Sequence, residues 1–139
     1  YEELKGRASI EFQIKNRKVR CLLYTGERVN VIKLDLLKNM KNVKIKETKR
    51  RIHCANDSEL VNYGIVQLKI KIERIQKTVD FFVIKDLEPK MIAGIDFLNK
   101  FSIKLKKETG YNEGVLVIRD TLTDKDRIKR IYTDKIDEP

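Results

Sequence analysis

Ala8, Ile10, Phe12 and Ile14 alternate with Ser9, Glu11, Gln13 and Lys15, the period-two pattern of a strand with one face in a core. Asn16-Arg17 reads as its turn. Val19 to Leu23 is a nearly continuous apolar run, as expected of a strand covered on both faces, and it leads straight into Tyr24-Thr25-Gly26. After Val29 to Ile32, the spacing of Leu34, Leu37 and Met40 predicts a short helix over Lys33 to Met40. Val43 and Ile45 alternate with Lys44 and Lys46, giving a basic strand. The turn formers Ala55-Asn56-Asp57-Ser58 mark a hairpin tip.

The clearest strand follows Gly64, with Val66, Leu68, Ile70 and Ile72 on one face and Gln67, Lys69, Lys71 and Glu73 on the other. Val79 to Ile84 is another apolar strand, Glu88-Pro89 a turn, and Met91-Ile92-Ala93-Gly94 an apolar run ending in Gly. Asp96 is placed to cap a short helix over Phe97 to Phe101. Ile103 and Leu105 suggest one strand and Val115 to Ile118 another, joined through the turn-rich segment 109–114. The pattern predicts a mostly β domain over residues 1–120. The tail 121–139, with five basic and five acidic residues, reads as a short helix or a frayed end.

Length and composition narrow this picture. A chain of 139 residues, 41% hydrophobic and 37% charged, suits one globular domain with a single core. No apolar run reaches the roughly 20 residues that span a bilayer, and the opening Tyr-Glu-Glu-Leu-Lys-Gly lacks the pattern of a signal peptide, so the expectation is a soluble intracellular protein without a membrane partner. Cys21 and Cys54 then read as free thiols. One His and two Cys do not make a four-ligand zinc site, and no metal or other cofactor is expected.

The formal charge of +10 favours encounter with polyanions. It is densest from Lys38 to Arg51, where seven basic residues face Glu47 alone. Lysines there suit a solvated strand edge that resists pairing. The competing reading is weak, non-specific contact with nucleic acid, which lacks the support of aromatic residues interleaved with the cations.

Leu22-Leu23-Tyr24-Thr25-Gly26 and its following helix are echoed by Ile92-Ala93-Gly94 and another helix, a near-repeat that fits two half-units about a pseudo-twofold axis. With the segment Val19 to Ile32, the hairpin from Ala55-Asn56-Asp57 to Gly64, the strand Asp80 to Ile84 and the block Met91 to Leu98, the chain resembles the retropepsins, especially the protease domains of Ty3/gypsy-type retrotransposons. The resemblance covers roughly residues 8 to 118. It implies a closed retropepsin-like β-barrel with one or two short helices, a flap at residues 55–64, and a homodimer with Thr25 bonded to its symmetry mate and Gly26 permitting the tight loop. It also implies a cleft that binds an extended peptide.

The departure from that family lies at Tyr24, where the catalytic aspartate is expected. The resemblance implies two carboxyls sharing one proton across a twofold axis, one acting as base and the other as acid. A phenol, with a reference pKa of about 10, keeps its proton at neutral pH and is a weak base. A ring is also bulkier than a carboxylate, and two would fill the place of the attacking water. Asp35, Asp80 and Asp96 are expected on a helix, a strand and the second glycine block, away from that position. The expectation is therefore no catalytic residue and a pseudo-protease kept for dimerisation or protein binding, with Tyr24, Thr25, Gly26, Ala55, Asn56 and Asp57 as the candidate binding residues. The alternatives are an active aspartic endopeptidase of a retroelement polyprotein, with Tyr24 a substitution or paired with an Asp-bearing partner, and a basic nucleic-acid-binding module.

Overall fold

The structure, a computed structural model, describes residues 2–3, 7–53, 59–87, 89–107, 113–120 and 125–133. In chain order its elements are β1 (Glu2–Glu3), β2 (Arg7–Ile14), β3 (Arg17–Tyr24), β4 (Val31–Lys33), α1 (Leu34–Leu37), β5 (Ile45–Lys46), β6 (Ile52–His53), β7 (Glu59–Leu60), β8 (Asn62–Ile72), β9 (Ile75–Ile84), β10 (Met91–Ala93), α2 (Ile95–Lys100), β11 (Ile103–Lys107), β12 (Glu113–Asp120) and β13 (Lys125–Thr133). The expected mostly β architecture with two short helices is present.

Six of these strands close a ring in the order β2-β3-β10-β4-β9-β8, with β8 returning to β2. The two long hairpins make most of the wall. β2 pairs with β3 from Arg7↔Tyr24 to Ile14↔Arg17, and β8 pairs with β9 from Ile65↔Phe82 to Ile72↔Ile75. Their alternation is the reason. Val66, Leu68, Ile70 and Ile72 point into the barrel and are buried, while Gln67, Lys69, Lys71 and Glu73 face water. Ala8, Ile10, Phe12 and Ile14 meet them from β2. Phe97 of α2 plugs the interior, stacked on Phe12 at 5.6 Å between centroids and tilted against Phe101 at 4.9 Å, with Phe81 edge-on at 6.4 Å.

A smaller core lies apart from this one. Val31, Phe82 and Ile84 from β4 and β9 bury Ile52 of β6, and the Arg50 guanidinium sits 5.1 Å from the Phe82 ring centroid. Ile52 thus ties the base of the β6–β7 hairpin to the barrel wall.

Three local expectations change. The first helix is shorter than Lys33 to Met40: the backbone leaves it after Leu37 and turns at Asn42, which takes φ 61°, a conformation Asn tolerates better than most residues. Leu34, Leu37 and Met40 still pack on the core, so the spacing identified the right face. The second helix starts at Ile95, two residues early, and Asp96 is not its cap. The N-cap is Gly94, and loop atoms take the helix's first N–H groups.

The tail is the largest correction. Residues 125–133 form neither a helix nor a frayed end: β13 pairs with β12 along its length, from Asp120↔Lys125 to Glu113↔Tyr132, and then with β2 at Ser9 and Ala8. Ile128 and Ile131, three apart, imitate a helical face in the sequence. The open edge of β12 decides otherwise, since strand formation follows the available partner more than local preference. β11 and β1 extend the same sheet beyond β12.

Cys21 is a free, buried thiol whose pKa is pushed up by burial, a hydrogen bond involving the Ala93 backbone opposing this only in part. Its proton is kept in the folded state at pH values where the unfolded chain releases it, so its contribution is intact below the ordinary thiol value of about 8.5 and declines as pH rises above it. Between pH 8 and 10, denaturant unfolding is expected to show a steeper loss of stability in the native protein than in Cys21→Ala. Parallel profiles would contradict the assignment.

Candidate functional site

The barrel's order brings the two halves of the near-repeat together. β10 runs parallel to β3, with Ile92 opposite Leu22 and Ala93 opposite Leu23, and antiparallel to β4. Gly94 therefore follows Ala93 as Tyr24 follows Leu23. The chain leaves β3 at Tyr24, passes through residues 25–30, and returns as β4 on the far side of β10.

Asn30 holds this crossing. It is 1% exposed, the one buried polar side chain among the described residues. Its Oδ1 accepts from the N–H of Gly94 at 2.9 Å and of Phe97 at 3.3 Å; its Nδ2 donates to the Asp80 carbonyl at 3.0 Å and to Asp96 Oδ2 at 2.9 Å. The Asn30 carbonyl accepts from Phe82 N–H at 2.8 Å. Both faces of the amide are used. Loop carbonyls complete the seat, with Glu27 accepting from Ile95 N–H at 2.8 Å and Arg28 from Asp96 N–H at 3.1 Å. The first N–H groups of α2 are thus satisfied by the loop that follows β3.

Gly94 shows how close the approach is. A Cβ there would lie 2.5 Å from the Glu27 carbonyl oxygen and 2.6 Å from that of Val29, so only glycine fits without moving backbone.

Tyr24 ends β3 half-buried, beside half-buried Thr25 and exposed Gly26. Its carbonyl accepts from Glu27 N–H at 3.2 Å, closing a turn. The ring folds over its own loop: a Cβ on Gly26 would meet Tyr24 Cζ at 2.6 Å and the hydroxyl oxygen at 2.7 Å. Gly26 matters here for space; among the described residues the glycine with positive φ is Gly64, at 128°.

Asp35, Asp80 and Asp96 stand on other elements than β3. Asp35 on α1 is exposed and pairs with Lys38 at 3.0 Å, which holds its carboxyl below the usual carboxylate range. Asp96 serves Asn30, and Asp80 stands on the outer face of β9 with its carbonyl bonded to Asn30. Glu27, which the sequence reading passed over, accepts from Arg28 N–H through Oε1 at 3.2 Å. Asn30 carries no motif in the sequence; its one sign is an amide within the apolar run Val29 to Ile32. Ala55, Asn56 and Asp57 lie outside the described residues. The strands on either side of them pair as a hairpin, Ile52↔Leu60 and His53↔Glu59. Of residues 38–51 only Ile45–Lys46 form the expected basic strand, at an edge of the main sheet.

Comparison with solved structures assigns the fold. The retroviral protease-like domain of Ddi1 from Leishmania major superposes with a TM-score of 0.61 at 12% identity, covering 95% of this chain and 99% of that one. A retropepsin-like aspartic protease from Rickettsia conorii gives 0.52 at 16% identity, over 74% and 79%. The chain has the retropepsin-like fold. No protein-family model and no curated protein matches the sequence.

Asn30→Ala would strip the Gly94 and Phe97 amides and the Asp80 carbonyl of their shared partner, and is expected to cost about 3 kcal/mol in denaturant unfolding, near the top of the range for unsatisfied buried groups. Gly94→Ala is expected to cost about 2 kcal/mol or more by overpacking against backbone, and Gly26→Ala clearly less, because the Tyr24 ring can swing away. Equal losses at the two glycines would refute the difference in their surroundings.

Proposed function

We propose that this is a non-catalytic retropepsin-like domain, kept as a homodimerising, protein-binding module of retroelement origin. The observation that carries the reading is the Tyr24 side chain: at the end of β3, on the loop where the resemblance expects an aspartate, stands a phenol whose ring lies over Gly26. A phenol is a weak base and offers no carboxylate to activate water, and the acids Asp35, Asp80 and Asp96 are on α1, the outer face of β9 and the Asn30 knot.

Dimerisation is supported by the loop. Thr25 and Gly26 remain at the position that meets the twofold axis in the resembled family, and Ile95, 40% exposed, directly follows the Gly94 seat of the same loop. A symmetric partner covers such an apolar side chain with its own copy. The β6–β7 hairpin, fixed by Ile52, borders the place for an extended peptide.

Two measurements test this. Incubation with an unfolded protein and a peptide library between pH 4 and 7, read by mass spectrometry, is expected to yield no cleavage; pepstatin-sensitive cleavage would sink the proposal. Light scattering is expected to give a dimer mass that falls toward the monomer in Ile95→Glu. A concentration-independent monomer would remove the dimer from it.

A further inference from the structure

Folding concentrates the positive charge of this protein on one region. The turn between β2 and β3 is docked on the connection after α1: Lys15 Nζ donates to the Lys41 carbonyl, and Arg17 donates to the Asn39 carbonyl at 3.4 Å. Lys15, Arg17 and Lys18 thereby join the seven cations of Lys38 to Arg51, all ten of them exposed. Within residues 15–18 and 35–51, ten of the chain's 31 Lys and Arg meet two of its 21 Asp and Glu, so the 21 cations and 19 carboxylates elsewhere nearly cancel. Of the two acids, Asp35 is already paired with Lys38. By these segments most of the net charge of +10 is local, with Glu11 and Glu73 standing beside Lys18 and Lys71, and Asp80 beside Lys44 and Lys46.

The neighbourhood has a track as well as a charge. β5 pairs with β8 at Ile65 and Val66, β2 pairs with the same strand at Ile70 and Lys71, and the docked turn lies between them. On β8 the outward side chains Gln67, Lys69 and Lys71 cover about 13 Å at strand rise. At its β5 end lies a groove of about 450 Å³ where Lys44, Lys46, Asn42, Thr48 and Gln67 supply hydrogen-bond donors, and where Glu47 and Asp80 also line the wall.

We propose that this face docks the phosphodiester backbone of a single-stranded nucleic acid. The point charges of lysine suit phosphate oxygens and read no bases. No aromatic lies within residues 15–18 or 38–51; Tyr63, 45% exposed on β8 two residues before the partner of Lys46, can stack a base of any kind, so binding is indifferent to sequence. A single strand laid along β8 brings successive phosphates to Lys69, Lys71 and the groove lysines, and the groove's two carboxylates keep affinity modest. A membrane surface fits less well, because Ile45, 38% exposed, is the lone exposed large apolar side chain within the cationic segments.

The test is fluorescence anisotropy of a labelled, mixed-sequence 20-nucleotide RNA, with phosphatidylserine vesicles in parallel. The native protein is expected to bind with micromolar Kd at 50 mM salt, with log K falling against log salt at a slope of about −3, as for four phosphates. The patch variant Lys41→Gln/Lys44→Gln/Lys46→Gln/Lys49→Gln is expected to lose tenfold or more. The control Lys85→Gln/Lys100→Gln/Lys104→Gln/Lys125→Gln removes the same charge from exposed sites elsewhere and is expected to lose no more than about twofold. Equal losses in both variants, no RNA binding at low salt, or binding to vesicles without binding to RNA would each overturn the proposal.

Discussion

One buried amide carries the crossing on which the barrel closes. Asn30 joins the loop after β3, the carbonyl edge of β9, the end of β10 and the first turn of α2 through four side-chain hydrogen bonds. A polar group at 1% exposure is costly unless satisfied, and here each donor and acceptor direction has a partner. Freeing any of the three bonds to backbone, at Gly94, Phe97 or Asp80, leaves a backbone group without its partner, so these elements are coupled through the one amide. The glycine contact reinforces the same point, since Gly94 can reach the Asn30 amide only because it has no Cβ to strike the Glu27 and Val29 carbonyls.

Beside this knot, Tyr24 ends β3. Its ring extends over Gly26, half-buried, while its carbonyl accepts from Glu27 N–H to close a turn. The scaffold below depends on Asn30, Gly94 and the packing of Phe97, none of which needs a carboxylate at the end of β3. Structure and chemistry are separable at that residue. The retropepsin-like fold is held here with a phenol at the end of β3.

Much of the architecture was legible because the barrel walls alternate cleanly. Val66 to Ile72 and Ala8 to Ile14 announce which face is buried, and the echo of Leu22-Leu23 in Ile92-Ala93 became a parallel pairing in register. What escaped were features that depend on partners distant in sequence. Residues 125–133 read as a tail because nothing local says that the edge of β12 is open. Asp96 looked like a cap because nothing local shows the helix beginning at Ile95, where the carbonyls of Glu27 and Arg28, nearly seventy residues earlier in sequence, take its first N–H groups. Asn30 stood in a single-letter pattern as an interruption, and only the crossing gives its amide four partners. Likewise the basic run from Lys38 was visible, but its union with Lys15 and Arg17 required the docked turn.

Native-state amide hydrogen exchange tests the central role of Asn30 most directly. If the knot opens only with the whole barrel, the Gly94 and Phe97 amides exchange with the same free energy as the β8–β9 ladder amides of Leu68 and Val79. Exchange at Gly94 and Phe97 through a smaller, local opening while that ladder stays protected would show that the crossing is a detachable loop, and that the barrel does not depend on it.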